Sequence, residues 1–389
     1  MTQDQAFFKV LPFRFDGNAT EYFKIWIVNI CLTIFTLGIY SAWAKVRTLR
    51  YFYGNTILDE HHFSYLAEPI QILKGRIIAV FLLVVYLLSW EFYPSAGFWF
   101  LAFGVLILPA IMVLALSFNM NNSAYRNIRF AFKRDFKKVY LIFVIPLLIV
   151  LVLTWLGFSL LESADFVAEM EQQEDVEFKK EDLLPTVFFF SLLPLIPYLD
   201  CIRTRFIVDQ TRFGKTTANF EGTAGQFYGL YFITFLFFMF IGFVSSFIIG
   251  IAMVAMGASG SLSEENTGMV VVVTVFTMII FYGLSFFVMA YLRAARTNLI
   301  FNKTKFGDNS FNSKLKTLPI AWLYISNTIG IIFSAGLLIP WSQIRMARYV
   351  ADNTEFEAKT LEDIIATQDN QQGAFGEEFG DAFDIDIGL

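Results

Sequence analysis

Eight stretches of this 389-residue chain are apolar over lengths near the roughly 20 residues that a helix needs to cross a hydrocarbon core about 30 Å thick. They cover residues 22–43, 77–93, 96–118, 139–161, 183–199, 227–257, 269–292 and 319–341. Lipid offers a backbone no hydrogen-bond partners, so each run is expected to be helical. Composition agrees: 56% of residues are hydrophobic and only 16% charged, against about 25% charged in soluble domains. That excludes a soluble enzyme, a nucleic-acid-binding domain and a disordered chain. The first run is too long and starts too late for a cleaved leader, and it lacks a small-residue cleavage pattern.

The charges sort between the runs. Segments 45–76, 119–138, 200–226 and 293–318 hold 5, 6, 4 and 6 Lys/Arg, whereas 162–182 holds nine carboxylates against two lysines. By the positive-inside rule the basic segments face the cytoplasm and the acidic ones face out. Three regions result: a polar N-terminal segment (1–21), a repeat-built transmembrane domain (22–359) and an acidic, disordered tail (360–389). The cysteines, Cys31 and Cys201, lie in or beside apolar runs as small hydrophobes, and the adjacent His61 and His62 read as a solvated pair. No metal site and no cofactor are expected.

The chain also resembles itself. At a constant offset of 298, Gly38, Trp43, Arg47, Arg50, Tyr51, Asn55 and Thr56 coincide with Gly336, Trp341, Arg345, Arg348, Tyr349, Asn353 and Thr354. These are seven identities in 21 positions, and the same offset pairs Asn29 with Asn327. Shorter units at Arg126–Phe130, Arg205–Gly214 and Asn298–Gly307 extend the pattern to about five copies of an apolar helix, a basic-aromatic helix end and a Thr-Xaa-Phe turn. Similar units should share one side of the membrane, yet only the run 319–341 separates the fourth copy from the fifth. Asn327, Thr328, Gly330, Ser334, Gly336 and Pro340 interrupt that run, and its partner carries Asn29, Thr33, Thr36 and Gly38. Such breaks favour re-entry over crossing. The expected fold is an all-α polytopic membrane helix bundle with internal repeats and six to eight membrane segments. Six full crossings with first and last segments re-entrant and both termini cytoplasmic are favoured; eight crossings with both termini outside are the alternative.

The segment Phe15-Asp-Gly17, Glu21-Tyr22-Phe23 and Thr36 through Thr56 resembles the YjgN family of bacterial inner-membrane proteins, a domain of unknown function. The resemblance covers residues from about 7 to about 355. It implies a multi-pass inner (plasma) membrane location and supplies no activity. The family pattern has a proline before the tryptophan; here Ala42 stands there, while the second copy has Pro340.

Catalytic constellations are missing. Ser259 in Gly257-Ala-Ser259-Gly260 fits an intramembrane serine protease pattern, but no histidine follows His62 to act as base. Glu91 and Asp200 are read at run ends, and the run interiors hold no ionisable residue, which disfavours a buried proton relay. The chain is therefore not expected to be an enzyme. Two candidate sites stand out. Asn29 and Asn327, on loosened helices, suit a neutral-polar ligand site at a repeat interface or interhelical hydrogen bonding. Trp43, Arg47, Arg50 and Tyr51, repeated as Trp341, Arg345, Arg348 and Tyr349, suit interfacial anchoring or binding of anionic phospholipid headgroups. The expected function is a transporter, channel or lipid-handling protein, with membrane phospholipids as partners. The alternative is a membrane scaffold or envelope-stress component acting through its basic loops.

Overall fold

The computed structural model describes residues 9–163, 183–257 and 264–358. Strand β1 (Lys9–Phe15) opens it. Helices α1 (Ala19–Phe35) and α2 (Ser41–Asn55) follow, and then the hairpin of β2 (Thr56–Leu58) and β3 (His61–Tyr65). The same order recurs with α3 (Pro69–Phe92), α4 (Pro94–Asn121), β4 (Ser123–Tyr125) and β5 (Ile128–Phe132). Next come α5 (Phe136–Ser163), α6 (Leu183–Leu192), α7 (Ile196–Gln210), β6 (Thr211–Phe213) and β7 (Thr216–Phe220). They lead to α8 (Ala224–Gly257), α9 (Glu264–Asn302), β8 (Thr304–Phe306) and β9 (Asn309–Ser313). Last are α10 (Thr317–Phe333), α11 (Ile339–Asp352) and β10 (Thr354–Ala358).

All ten strands close into one antiparallel barrel, each beside its chain neighbour, with β1 paired to β10 across the seam. This corrects the all-α expectation. The strands lie in short polar segments outside the apolar runs, eight of them between runs and β1 and β10 at the two ends. At three to seven residues each, they acquire a buried face only when all ten come together. Alternation nevertheless decides which side chains point inward. Leu11, Phe13, Phe63, Tyr125, Phe130, Phe213, Phe306, Phe311 and Phe356 pack into one cluster inside the ring. Phe311 lies 4.9 Å from Phe356 and Phe130 lies 4.8 Å from Phe213, centroid to centroid. Such contacts add about 0.5–1.5 kcal/mol each beyond area burial. The barrel is a packed aromatic core.

Two-residue turns suit this geometry. Asp59 and Glu60, and Arg126 and Asn127, all take positive φ, the twist required of tight hairpins. Where each helix becomes a strand, one hydroxyl bonds back to the carbonyl four residues earlier: Thr56 to Phe52, Ser123 to Asn119, Thr211 to Ile207, Thr304 to Ile300 and Thr354 to Val350, at 2.7–2.9 Å. Adjacent units are joined by five main-chain bonds, from the amides of Asp16, Leu66, Lys133, Glu221 and Lys314 to the carbonyls of Asn55, Asn122, Gln210, Lys303 and Asn353.

Six helices among the described residues are long and apolar enough to cross a membrane: Pro69–Phe92, Ser95–Asn121, Phe136–Gly157, Thr186–Gln210, Ala224–Ile251 and Val271–Asn302. They form three hairpins standing on the barrel, and much of their apolar surface is exposed. The first and last apolar runs are different. Each breaks into a short helix pair, α1–α2 and α10–α11, and α1 at 17 residues is about 26 Å long. Both pairs leave the barrel and return to it, so their basic ends lie on the same side as those of the other units. Their tips are apolar and open, with Phe35 83%, Leu37 95% and Phe333 88% exposed. Residues 9–15 of the polar N-terminal segment are strand β1. The Ser259 motif and the tail from 360 lie outside the described residues.

Candidate functional site

The two short hairpins carry every candidate residue named from the sequence. Their turns are alike. Gly38 and Gly336 both have φ +91°, and their amides bond to the carbonyls of Thr33 and Ile331 at 2.8 Å. Tyr51 Oη accepts from the Asn18 amide (2.8 Å) and donates to the Asn18 carbonyl (2.9 Å). Tyr349 Oη does the same at Lys316, at 3.0 and 3.3 Å. Both tyrosines therefore clamp the start of one helix to the end of the next.

Arg50 and Arg348 also bond to backbone. Arg50 Nη2 donates to the Ala67 carbonyl (2.8 Å) and Arg348 Nη2 to the Gly17 carbonyl (2.9 Å). Equivalent staples complete a ring: Arg205 to Gly222, Asn298 to Leu315, and Arg134 to the Ser117 hydroxyl at 2.9 Å. Four of these join residues 17 apart. The fifth, Arg348 to Gly17, spans 331 positions because the last unit is completed by the first strand. The four arginine bonds are charge-assisted and contribute about 1.5–3 kcal/mol each, against about 0.5–1.5 kcal/mol for the neutral Asn298 amide.

Asn29 and Asn327 are both buried, each within its own hairpin. Arg345 Nη1 donates to Asn327 Oδ1 (2.7 Å) and Ser326 Oγ (2.9 Å), and its guanidinium lies 4.3 Å from the Trp341 ring centroid. In the first hairpin the matching arginine, Arg47, is exposed and forms no hydrogen bond or ion pair among the described residues. Trp43 packs instead beside Ala42, Val46 and Ile72. Asn29 Nδ2 makes one long contact to the Ala44 carbonyl (3.4 Å), and its buried Oδ1 has no partner. Beside it lies an open groove of about 380 Å³, lined by Trp26, Asn29 and Thr33 of α1 and by Ala44, Lys45 and Thr48 of α2. Where Arg345 fills the second hairpin, the first has a vacant acceptor next to a groove.

A third constellation escaped the sequence reading, which placed Asp200 at the end of a run. The helix continues to Gln210, and Asp200 is buried inside it. Arg296 of α9 grips Asp200 through two bonds of 2.8 Å, and Tyr231 of α8 donates to the same carboxylate at 3.2 Å. The signal available was weak: Arg203 and Arg296 both stand eight residues before the threonine that starts the next strand. Both cysteines are free, Cys31 exposed and Cys201 buried. His61 Nδ1 lies 2.6 Å from the Asp59 carbonyl and His62 Nδ1 2.7 Å from that of Gly54.

The family described as bacterial protein of unknown function (DUF898) matches residues 10–382. The chain belongs to this DUF898 family. Curated relatives of this DUF898 protein carry the name inner membrane protein YjgN. One from Salmonella typhimurium is 32% identical over 142 residues, 36% of each chain. One from Escherichia coli O157:H7 is 31% identical over 139 residues, 35% of each chain. A shorter stretch of 53 residues is 47% identical to the protein of Escherichia coli strain K12, covering 14% of this chain and 13% of that one. The matched stretches thus span about a third or less of these relatives. No solved structure matches.

Proposed function

We propose that this DUF898 protein is a lipid-handling protein of the bacterial inner membrane, with its barrel in the cytoplasm and a phospholipid seated in the α1–α2 groove. The observation that carries the reading is the unpaired, buried Asn29 Oδ1 beside that groove. A buried acceptor without a donor costs about 1–3 kcal/mol. The ammonium of phosphatidylethanolamine or a glycerol hydroxyl would supply the donor. Lys45 and Thr48 give the groove polar chemistry on its α2 wall, and the exposed apolar tip suits acyl chains. The barrel-side segments carry most of the Lys and Arg, which supports a cytoplasmic position next to anionic lipid.

The aromatic filling of the barrel favours lipid handling over a channel along the barrel axis. The matching turns, hydroxyl bonds and staples support descent of the five units from one repeated element, with the fifth divided between the two ends of the chain.

Replacing Asn29 by Leu removes the acceptor and narrows the groove. Native mass spectrometry of the purified protein should then show wild type retaining phosphatidylethanolamine and Asn29→Leu losing most of it, with secondary structure unchanged by circular dichroism. Equal retention by both proteins would overturn the groove assignment.

A further inference from the structure

The Asp200 cluster has more positive charge than it balances. Arg296 is satisfied by its two bonds to Asp200, and Tyr231 occupies part of the same carboxylate. Arg203, one helical turn from Asp200 on α7, is half-buried and interacts electrostatically with Asp200, Arg296 and Tyr231. Among the described residues it forms no hydrogen bond or ion pair. Two guanidinium groups thus face one carboxylate, which only Arg296 grips, and the five donors of Arg203 have no partner among the described residues. Burying such an excess charge is costly unless a counter-charge joins it.

Position adds a second argument. Arg203 precedes Thr211, and Arg296 precedes Thr304, by the same eight residues. Both side chains therefore project at one height, about 12 Å along the helix from the barrel rim. The corresponding residues in the other units are Thr48, Ala115 and Met346, so at this register position the cations fall on α7 and α9. The apolar part of α9 ends just beyond, at Leu292, which puts the pair at the barrel-side boundary of the membrane.

We propose that Arg203, with Arg296 held in place by Asp200 and Tyr231, binds a phosphate oxyanion at this boundary. Guanidinium donors match phosphate oxygens in a forked, bidentate geometry. The phosphate could come from an anionic phospholipid of the barrel-side leaflet or from a free phosphate compound. This site is separate from the α1–α2 groove and does not depend on it.

The test uses the full-length protein and the variants Arg203→Gln and Arg203→Lys. Affinity is measured with nanodiscs of phosphatidylcholine alone, with the same nanodiscs containing phosphatidylglycerol, and with inorganic phosphate added to detergent-solubilised protein. Arg203→Gln should weaken binding about tenfold, equivalent to about 1.4 kcal/mol, and Arg203→Lys should retain part of it. Loss confined to the phosphatidylglycerol arm assigns a lipid headgroup; loss in the phosphate arm assigns a free anion. Thermal unfolding without added anion supplies the second readout. Arg203→Gln should then be as stable as wild type or more so, since an unbalanced charge has gone. The proposal fails if Arg203→Gln binds both probes like wild type, if wild type binds neither, or if the variant is destabilised equally with and without anion.

Discussion

Tyr125 is packed among the barrel aromatics and donates to the Leu58 carbonyl at 2.7 Å. Burial pushes its phenol from 10.0 up to about 12, against the opposing pull of Arg126. The fold therefore prefers the neutral phenol. Its contribution is intact below pH 10 and is lost as pH rises towards 12. Tyr125→Phe should cost about 1–2 kcal/mol at neutral pH, because Leu58 loses its donor, and should flatten the fall in stability between pH 10 and 12. Thermal unfolding in detergent at neutral and alkaline pH checks both; a variant with the wild-type alkaline slope would remove Tyr125 from that account. Individual roles were unevenly legible at this scale. The offset of 298 paired Tyr51 with Tyr349 and Arg50 with Arg348, and the structure gives each pair matching bonds to backbone, at Asn18 and Lys316 for the tyrosines and at the Ala67 and Gly17 carbonyls for the arginines. The bond from Arg296 to Asp200 joins residues 96 apart, and no local pattern announces it.

The short hairpins show what an element adds to its residues. Gly38 and Gly336 hold φ +91°, and a Cβ on Gly38 would meet no atom within 4 Å. The glycine is thus required by backbone conformation alone. Gly38→Ala should cost about 1–2 kcal/mol, while Gly54→Ala in helix α2, equally uncrowded and without positive φ, should be neutral or slightly stabilising. Paired unfolding measurements decide; equal effects would mean that the α1–α2 turn is not strained. The turns themselves could be anticipated, because glycine and hydroxyl residues broke the apolar runs 22–43 and 319–341. The strands could not be read as strands. Thr211-Arg-Phe213 and Thr304-Lys-Phe306 alternate correctly, but three residues specify no period, and the same letters were read as a turn after a helix.

Closure is a property of the whole molecule. β1 and β10 pair over Lys9–Pro12 and Glu355–Ala358, so both ends of the described chain meet in one barrel and all five units face one way. Apolar runs and basic segments made the membrane helices legible, but the side occupied by the last unit depended on a pairing between residues some 350 positions apart. Membrane-impermeant maleimide labelling tests the consequence. In a background lacking Cys31 and Cys201, cysteines replacing Val10, Thr217 and Lys305 report on the barrel, and Tyr93→Cys reports on the far end of α3. The three barrel positions should behave identically, reacting only after spheroplasts are permeabilised, while Tyr93→Cys reacts in intact ones. The reverse pattern would put the barrel outside the cytoplasm and remove the electrostatic support for lipid handling there. Different behaviour among the three barrel positions would contradict the barrel itself, because a closed ring of short strands cannot expose its members to opposite compartments.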